Sequence, residues 1–194
     1  MNEKIKFDII RIEKFLRGAK ILAAKKIYSD EKEIKEEAKP AARAKKKKGV
    51  EANAKALKFQ EFLMENDISV FSSETLDDDY QTVIFRSRIE TKGQILPMAI
   101  FIDTSVFTVI RTQVVSGISK KKQEKIKDYL NDLNAQYKIF KYYLRPDGIV
   151  YLDVCLPFVD ETFDSKMIQL MLSVLVQHLD AVYEDLMECV WSKE

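Results

Sequence analysis

The side chains that most often carry enzyme chemistry are few in this chain of 194 residues. There is one histidine, His178, and there are two cysteines, Cys155 and Cys189, each among apolar neighbours. A zinc site or a histidine-activated nucleophile needs a second such group at a suitable spacing, and the sequence offers none. We therefore expect His178 to lie in the core or at an interface and Cys155 to be buried packing within its strand. Nothing marks Cys189 as activated.

Carboxylates are more numerous, but their spacing is typical of loops and turns. Asp77, Asp78 and Asp79 lack the glycine and the terminal glutamate of a calcium-binding loop, so we interpret them as a solvated turn. Asp103 and Asp153 could form a catalytic pair only if their strands bring them together, and aspartate at a turn commonly bonds local backbone. The sequence has no glycine-rich phosphate loop. We predict no catalytic, cofactor or metal site.

The strongest surface feature is a basic cluster formed by Arg43, Lys45, Lys46, Lys47 and Lys48. Basic side chains at this density can neutralise phosphates with little sequence preference, and they can contact an anionic membrane surface. They can equally form a solvated linker, because like charges repel each other. No aromatic residue is interleaved with them, so the stacking of nucleic-acid bases is not indicated.

The formal net charge of +1 conceals an asymmetry along the chain. Residues 1–58 hold 18 Lys and Arg against 9 Asp and Glu, whereas residues 59–194 hold 14 against 22. A basic segment attached to an acidic remainder bears on partners rather than on fold. No apolar stretch approaches the roughly 20 residues of a membrane span. With no secretory signal and no disulfide pattern, we expect a cytoplasmic protein.

The first quarter of the chain is predicted to be a basic helical arm followed by a linker. Apolar residues recur near the helical period over residues 3–28, and a short polar helix after them ends at Pro40. Residues 41–53 carry the basic cluster and are predicted to be a linker. We therefore divide the chain into an arm with its linker, residues 1–53, and a domain, residues 54–194.

The domain is predicted to be α+β, with a helix, three strands, a helix, two strands and a long final helix. Short turns imply antiparallel pairing, and we expect the helices to lie on one face of the sheet. The final helix is capped by Thr162 or Asp164. In chain order the predicted helices and strands cover residues 54–65, 80–90, 94–102, 106–115, 119–135, 137–144, 149–156 and 164–191, with a short extended piece at residues 68–71.

The final helix carries the clearest apolar stripe, and a second apolar stripe beside it indicates that the helix is covered on two sides. The stripe is predicted to be core or to bind a partner, and both alternatives stay open. Its members recur at steps of three and four and are Ile168, Leu172, Leu175, Leu179, Val182 and Leu186.

Three short motifs give the predicted domain a resemblance to a known family. They are Leu130-Asn131-Asp132-Leu133-Asn134 near the end of the middle helix, Asp147-Gly148-Ile149-Val150-Tyr151 at a hairpin, and Leu156-Pro157 before the final helix. Their order and spacing resemble the YbjN-like family, whose fold is similar to that of type III secretion chaperones. The resemblance covers residues 54–194. It implies a small, acidic, often dimeric protein without known catalysis, of a kind that in some cases binds other proteins.

We accordingly expect a non-enzymatic protein-binding module, chaperone-like or regulatory, that forms a homodimer through its sheet or its final helix. An exposed apolar groove or sheet face would hold a segment of the partner protein. The alternative is a tether whose basic arm contacts nucleic acid or another anionic surface. A third alternative, a small enzyme, would require a pocket lined by convergent carboxylates or arginines.

Overall fold

The computed structural model describes residues 53–192, so the arm and linker up to residue 52, with the basic cluster Arg43 and Lys45 to Lys48, lie outside the described residues. The described residues form three helices and six strands, and the predicted α+β class is confirmed. In chain order the elements are α1 (Ala54–Glu65), β1 (Ser72–Thr75), β2 (Val83–Thr91), β3 (Gln94–Ile102), β4 (Phe107–Val115), α2 (Gln123–Gln136), β5 (Phe140–Leu144), β6 (Val150–Pro157) and α3 (Ser165–Trp191).

The sheet has one strand more than the sequence predicts. The additional strand, β1, has the sequence Ser-Ser-Glu-Thr, and all four of its side chains are exposed. It therefore lacks the apolar alternation that marks a half-buried strand, and it is held by backbone pairing with β2 and by the exposed ion pair between its Glu74 and Arg86 of that strand. Helix α2 also begins later than predicted, because a turn of 3-10 helix, Lys120–Lys122, comes before it.

All neighbouring strands pair antiparallel, in the order β1-β2-β3-β4-β6-β5. The β2–β3 hairpin closes through Lys92 and Gly93, whose φ angles are 47° and 72°. Two left-handed residues in a two-residue loop form the type I′ turn, whose twist matches that of the strands it joins. This turn fixes the register in which Thr91 lies opposite Gln94.

The helices pack on one side of this sheet, and the core lies between them. Phe85 of β2 places its ring 4.9 Å from Phe59 of α1, and Phe140 of β5 stacks on His178 of α3. Alternate side chains of a strand lie on one face of the sheet, so the strand residues that point towards the helices are buried. They include Leu96, Met98, Ile100, Ile102, Ile110, Val114, Val150, Leu152 and Val154.

Polar contacts fasten the beginning of α1 to the rest of the domain. Asn53 caps the helix by accepting the Ala56 N–H at 3.0 Å, and its amide also donates to the carbonyl of Ile102 at 3.1 Å. Lys55 is only 1% exposed, and its ammonium donates to the carbonyls of Ser105 and Phe158. A buried cation of this kind is tolerated because backbone oxygens replace its water.

We predict that Lys55→Met destabilises the protein by about 1–3 kcal/mol, because two carbonyls lose their buried donor. The measurement is the free energy of unfolding from urea denaturation. Lys58→Met is the matched control, since Lys58 is an exposed lysine of the same helix, and we expect it to change stability by no more than about 0.5 kcal/mol. Equal stabilities of the two variants would contradict the role given to Lys55.

Candidate protein-interaction face

The side of the sheet opposite the helices is here called the open face, because all three helices of residues 53–192 pack on the other side. Most of its apolar side chains are partly exposed to solvent, whereas Ile84, which lies opposite Phe101, is buried. Ile95 is 53% exposed and Phe107 is 49% exposed. The apolar and aromatic members of the open face include Ile95, Pro97, Phe101, Phe107, Val109, Tyr143 and Tyr151.

An ion pair lies at the centre of the open face. Arg111 of β4 is the register partner of Asp153 of β6, and its guanidinium donates to the two carboxylate oxygens at 2.9 and 2.8 Å. The Asp153 side chain is 12% exposed and that of Arg111 is 39% exposed. The hydrogen bonds to Asp153 raise the pKa of Arg111. A bidentate contact of this geometry holds the guanidinium in one orientation.

Aromatic rings surround the guanidinium of Arg111. Its central carbon lies 5.3 Å from the centroid of Phe101 and 5.8 Å from the centroids of both Tyr143 and Tyr151, within the range of cation–π attraction. The rings of Tyr143 and Tyr151 stack at 5.7 Å. Burial, followed by the charge of Asp153, raises the pKa of Tyr143 to about 12. The cluster joins β3, β4, β5 and β6 and gives the open face a rigid centre.

The open face is more basic than the described chain as a whole. Residues 53–192 hold 15 Lys and Arg against 21 Asp and Glu. The strand residues that point to the open face instead include more cations than acids. The cations are Arg86, Arg88, Arg111 and Lys141, and the acids are Glu74, Glu90 and Asp153. The acidic excess of the described chain therefore lies on its other surfaces.

A shallow groove of about 410 Å³ extends the open face past the beginning of β5. Because β6 continues beyond its last partner in β5, the residues after Val154 have no strand on that side. The groove is lined by Val109, Asp153 and Cys155 on the sheet and by Lys138, Ile139 and Lys141 along the edge. Its mixture of apolar and cationic groups matches that of the rest of the face.

The stripe predicted on the final helix is mostly core. Leu172 is half-buried, and the other five members are buried against the sheet side of α3. They are Ile168, Leu175, Leu179, Val182 and Leu186. The exposed apolar side chains of the helix lie elsewhere, at Met167, Leu170 and Trp191.

The expectation that Cys155 is buried is wrong. Its neighbour Val154 points to the helices and is buried, so strand alternation turns Cys155 to the open face, where it is exposed. Partial burial and the nearby charge of Asp153 raise the pKa of the Cys155 thiol. The thiol is therefore accessible but not activated.

His178 is buried, as expected, in an aromatic cluster. Its ring stacks on Phe140 at 3.9 Å and meets Tyr137 edge-on at 4.3 Å. Its Nε2 is 2.8 Å from the hydroxyl of Tyr142. Burial raises the pKa of Tyr142 far above its ordinary value and lowers that of His178 to about 4. The neutral histidine and the neutral tyrosine thus share a hydrogen bond, which is a structural contact.

Two further candidate carboxylates, Asp78 and Asp103, bond nearby backbone. Asp78 accepts the N–H of Thr82 at 2.9 Å, and Asp103 accepts that of Ser105 at 2.8 Å. Asp153 is bonded to Arg111, so it does not pair with Asp103. Within residues 53–192, no group of three or more His, Cys, Asp or Glu side chains could hold a metal ion. Nor does any helix in this part of the chain have the length and apolarity to cross a bilayer.

Sequence reasoning missed the centre of the open face. The available signal was an arginine in the middle of one predicted strand and an aspartate in the middle of another, at Arg111 and Asp153. Charged residues at such positions usually need a partner.

Comparison with protein-family models, with curated proteins and with solved structures found no match to this chain. The resemblance to the YbjN-like family therefore stays a prediction.

We predict that acid destabilises the protein partly through His178. The unfolded chain binds a proton at this residue below about pH 6.5, whereas the folded chain does so only near pH 4. The stability contributed by the neutral ring is therefore fully present above pH 6.5 and is lost as the pH falls towards 4, by up to about 3 kcal/mol. His178→Gln, whose amide can either donate to Tyr142 or accept from it, removes this part of the pH dependence.

The measurement is the free energy of unfolding in urea at about pH 7 and about pH 4.5 for both proteins. We expect the wild-type protein to lose more stability between these values than the His178→Gln variant does. Identical losses would show that His178 takes up its proton equally well in the folded chain.

Proposed function

We propose that this protein is a non-enzymatic binding module, chaperone-like or regulatory, and that its open face holds a segment of a partner protein. The observation that carries the proposal is the exposure of Ile95 and Phe107 on a sheet side that carries no helix of residues 53–192. Partly exposed apolar side chains around a fixed polar centre are typical of protein-binding surfaces. The resemblance to chaperone-like proteins is consistent with the same role.

The partner segment we propose presents apolar side chains flanked by carboxylates. Aromatic rings on the open face would pack against the apolar side chains. Arg88 and Lys141, which make no ion pair within residues 53–192, would attract the carboxylates. Charge of this kind mainly sets the rate and specificity of association, and buried aromatic contacts supply most of the affinity.

A catalytic role is not part of the proposal. The titratable groups that could have formed a site are apart from one another. His178 shares a hydrogen bond with Tyr142, and Asp103 accepts a hydrogen bond from the backbone N–H of Ser105. The two cysteines are free thiols, which supports the cytoplasmic location expected from the sequence.

We predict that Phe107→Asp weakens partner binding by at least about tenfold, because it places a charge in the apolar part of the open face. Met64→Asp is the matched control, since Met64 is 65% exposed on α1, on the opposite side of the sheet. Proteins captured from cell extract by the full-length chain are identified, and the affinity of the purified partner is then measured by calorimetry. Equal affinities of the two variants would rule out the open face as the binding site.

A second function, contact with a polyanion, is supported by the charge of residues 1–58, which hold twice as many basic as acidic side chains. It assigns the contact to Arg43 and Lys45 to Lys48. We expect the full chain to bind heparin or DNA and to elute at lower salt when residues 1–53 are deleted, since each phosphate contact releases counterions. Retention that is independent of salt, or unchanged by the deletion, would end this proposal.

A further inference from the structure

A groove on the helical side of the sheet is separate from the open face and is here called the α3 groove. Its volume is about 640 Å³, and it lies at the end of the sheet that holds the β2–β3 turn. The last two turns of α3 form one wall, and Gln94 of β3 with Val114 and Val115 of β4 forms the other. Small-molecule sites in proteins measure about 300–1,000 Å³, so the α3 groove has the size of a ligand site.

Two contacts hold α3 against the β2–β3 hairpin and so fix the width of the α3 groove. The Thr91 hydroxyl donates to the Asp180 carboxylate at 2.8 Å, and the Lys92 ammonium lies 3.5 Å from the Glu184 carboxylate. Among residues 53–192, Lys92 and Glu184 are the charged side chains that line the groove. Because their formal charges cancel, the lining of the groove is neutral.

A β-bulge in β4 builds the sheet wall of the α3 groove. Gln113 lies opposite Tyr151, whereas Val115 lies opposite Val150, the preceding residue of β6, so Val114 is an extra residue. Val114 and Val150 are buried on the helical side, and Val115 shares the face of its partner Val150. The bulge therefore gives the groove two adjacent apolar side chains, which a regular strand would turn to opposite faces.

The α3 groove contains a buried tyrosine hydroxyl without a partner. Tyr183 lines the groove and is only 8% exposed, yet its hydroxyl makes no hydrogen bond within residues 53–192. This hydroxyl is not sealed from solvent, since the sealed side-chain atoms without a partner in this part of the chain are the hydroxyls of Thr108 and Thr112. A buried tyrosine hydroxyl usually has a partner, so that of Tyr183 faces the groove with its hydrogen-bonding capacity unused.

The apolar part of the α3 groove is formed by Trp191 and by Met187, which lies one turn earlier on α3. Trp191 is 59% exposed. Its backbone is nevertheless fixed, because the Lys122 ammonium donates to the carbonyls of Val190 and Ser192, each at 2.9 Å. An exposed indole ring held on a fixed backbone is a flat surface on which another ring can stack.

The lining of the α3 groove favours an uncharged aromatic ligand. A neutral lining gives no preference for an ion, whereas an indole ring stacks on the ring of a base and a thioether sulfur makes favourable contacts with aromatic rings. The Tyr183 hydroxyl and the Gln94 amide can each donate and accept hydrogen bonds. They match a ring whose edge carries both donors and acceptors.

We propose that the α3 groove binds a neutral heteroaromatic ring with hydrogen-bonding groups at its edge, as a nucleoside presents. The ring stacks on Trp191 and contacts Met187, and an edge group bonds to the hydroxyl of Tyr183. This site lies on the opposite side of the sheet from the open face. It is therefore independent of the partner binding proposed there, and either proposal can fail without the other.

The test uses the fluorescence of Trp191, the only tryptophan of the chain. Adenosine, guanosine, cytidine and uridine are added separately to the full-length protein, with correction for the light that each nucleoside absorbs. We expect at least one of them to quench the fluorescence with a dissociation constant below about 1 mM. Glucose and galactose, which have polar edges but no aromatic ring, are expected to leave the fluorescence unchanged.

Tyr183→Phe removes the hydroxyl alone. We expect it to weaken nucleoside binding by about two- to tenfold and to leave the free energy of unfolding unchanged, because the hydroxyl has no partner within residues 53–192. Tyr80→Phe is the matched control, since Tyr80 is an exposed tyrosine at the opposite end of the sheet, and it leaves the affinity unchanged.

Trp191→Leu tests the stacking, with binding followed by calorimetry and the fold checked by circular dichroism. We expect the affinity to fall on the order of tenfold, because a base loses its aromatic platform. The proposal is overturned if no nucleoside changes the fluorescence up to about 1 mM. It is also overturned if the sugars bind as tightly as the nucleosides, or if Tyr183→Phe and Trp191→Leu both leave nucleoside binding unchanged.

Discussion

The protein depends on one constraint, which is that all three described helices cover the same side of a six-stranded antiparallel sheet. Because strand side chains alternate, every strand contributes one set of residues to the core and another to the side of the sheet that none of these three helices covers. The core set is apolar and tightly buried, as Ile100, Ile110 and Leu152 show. The strand residues that point to the open face include aromatic rings, and these rings must be tolerated in contact with water. This division explains the mixed composition of the open face. The helices cover one side of the sheet and not its edges, so an edge such as β5 is covered by a side chain, that of Asn134.

On the open face, the contact between Arg111 and Asp153 orders the aromatic side chains that surround it. A guanidinium held by a carboxylate and flanked by three rings orders Phe101, Tyr143 and Tyr151 on a side that none of the three described helices covers. Arginine suits this position because its plane packs on aromatic faces while its edge bonds the carboxylate in two places. The result is a preorganised surface, and a partner that binds it loses little free energy to reordering of the side chains.

Much of the fold follows from the sequence, and the exceptions have physical causes. The periodicity of α1 and α3 and the turn at Lys92 and Gly93 are local signals, so those elements were predictable. Strand β1 has no apolar side chain, and only its pairing with β2 defines it. Cys155 was misjudged because Val154 and Leu156 make the strand look continuously apolar. Arg111 and Asp153 are 42 residues apart, and they meet only because β4 pairs with β6 after the chain has passed through α2 and β5. That pairing is a property of the topology and cannot be inferred from local pattern.

The exposed thiol of Cys155 offers the most direct measurement of whether the open face receives the partner protein. Cys155 lies on that face, whereas Cys189 lies half-buried on α3, so the two thiols report on opposite sides of the sheet in one experiment. Alkylation rates of both are followed by mass spectrometry in the free chain and in its complex with the purified partner. The account predicts that the partner slows alkylation of Cys155 and leaves Cys189 unchanged. Protection of Cys189 with no change at Cys155 would contradict it, because the partner would then bind on the helical side.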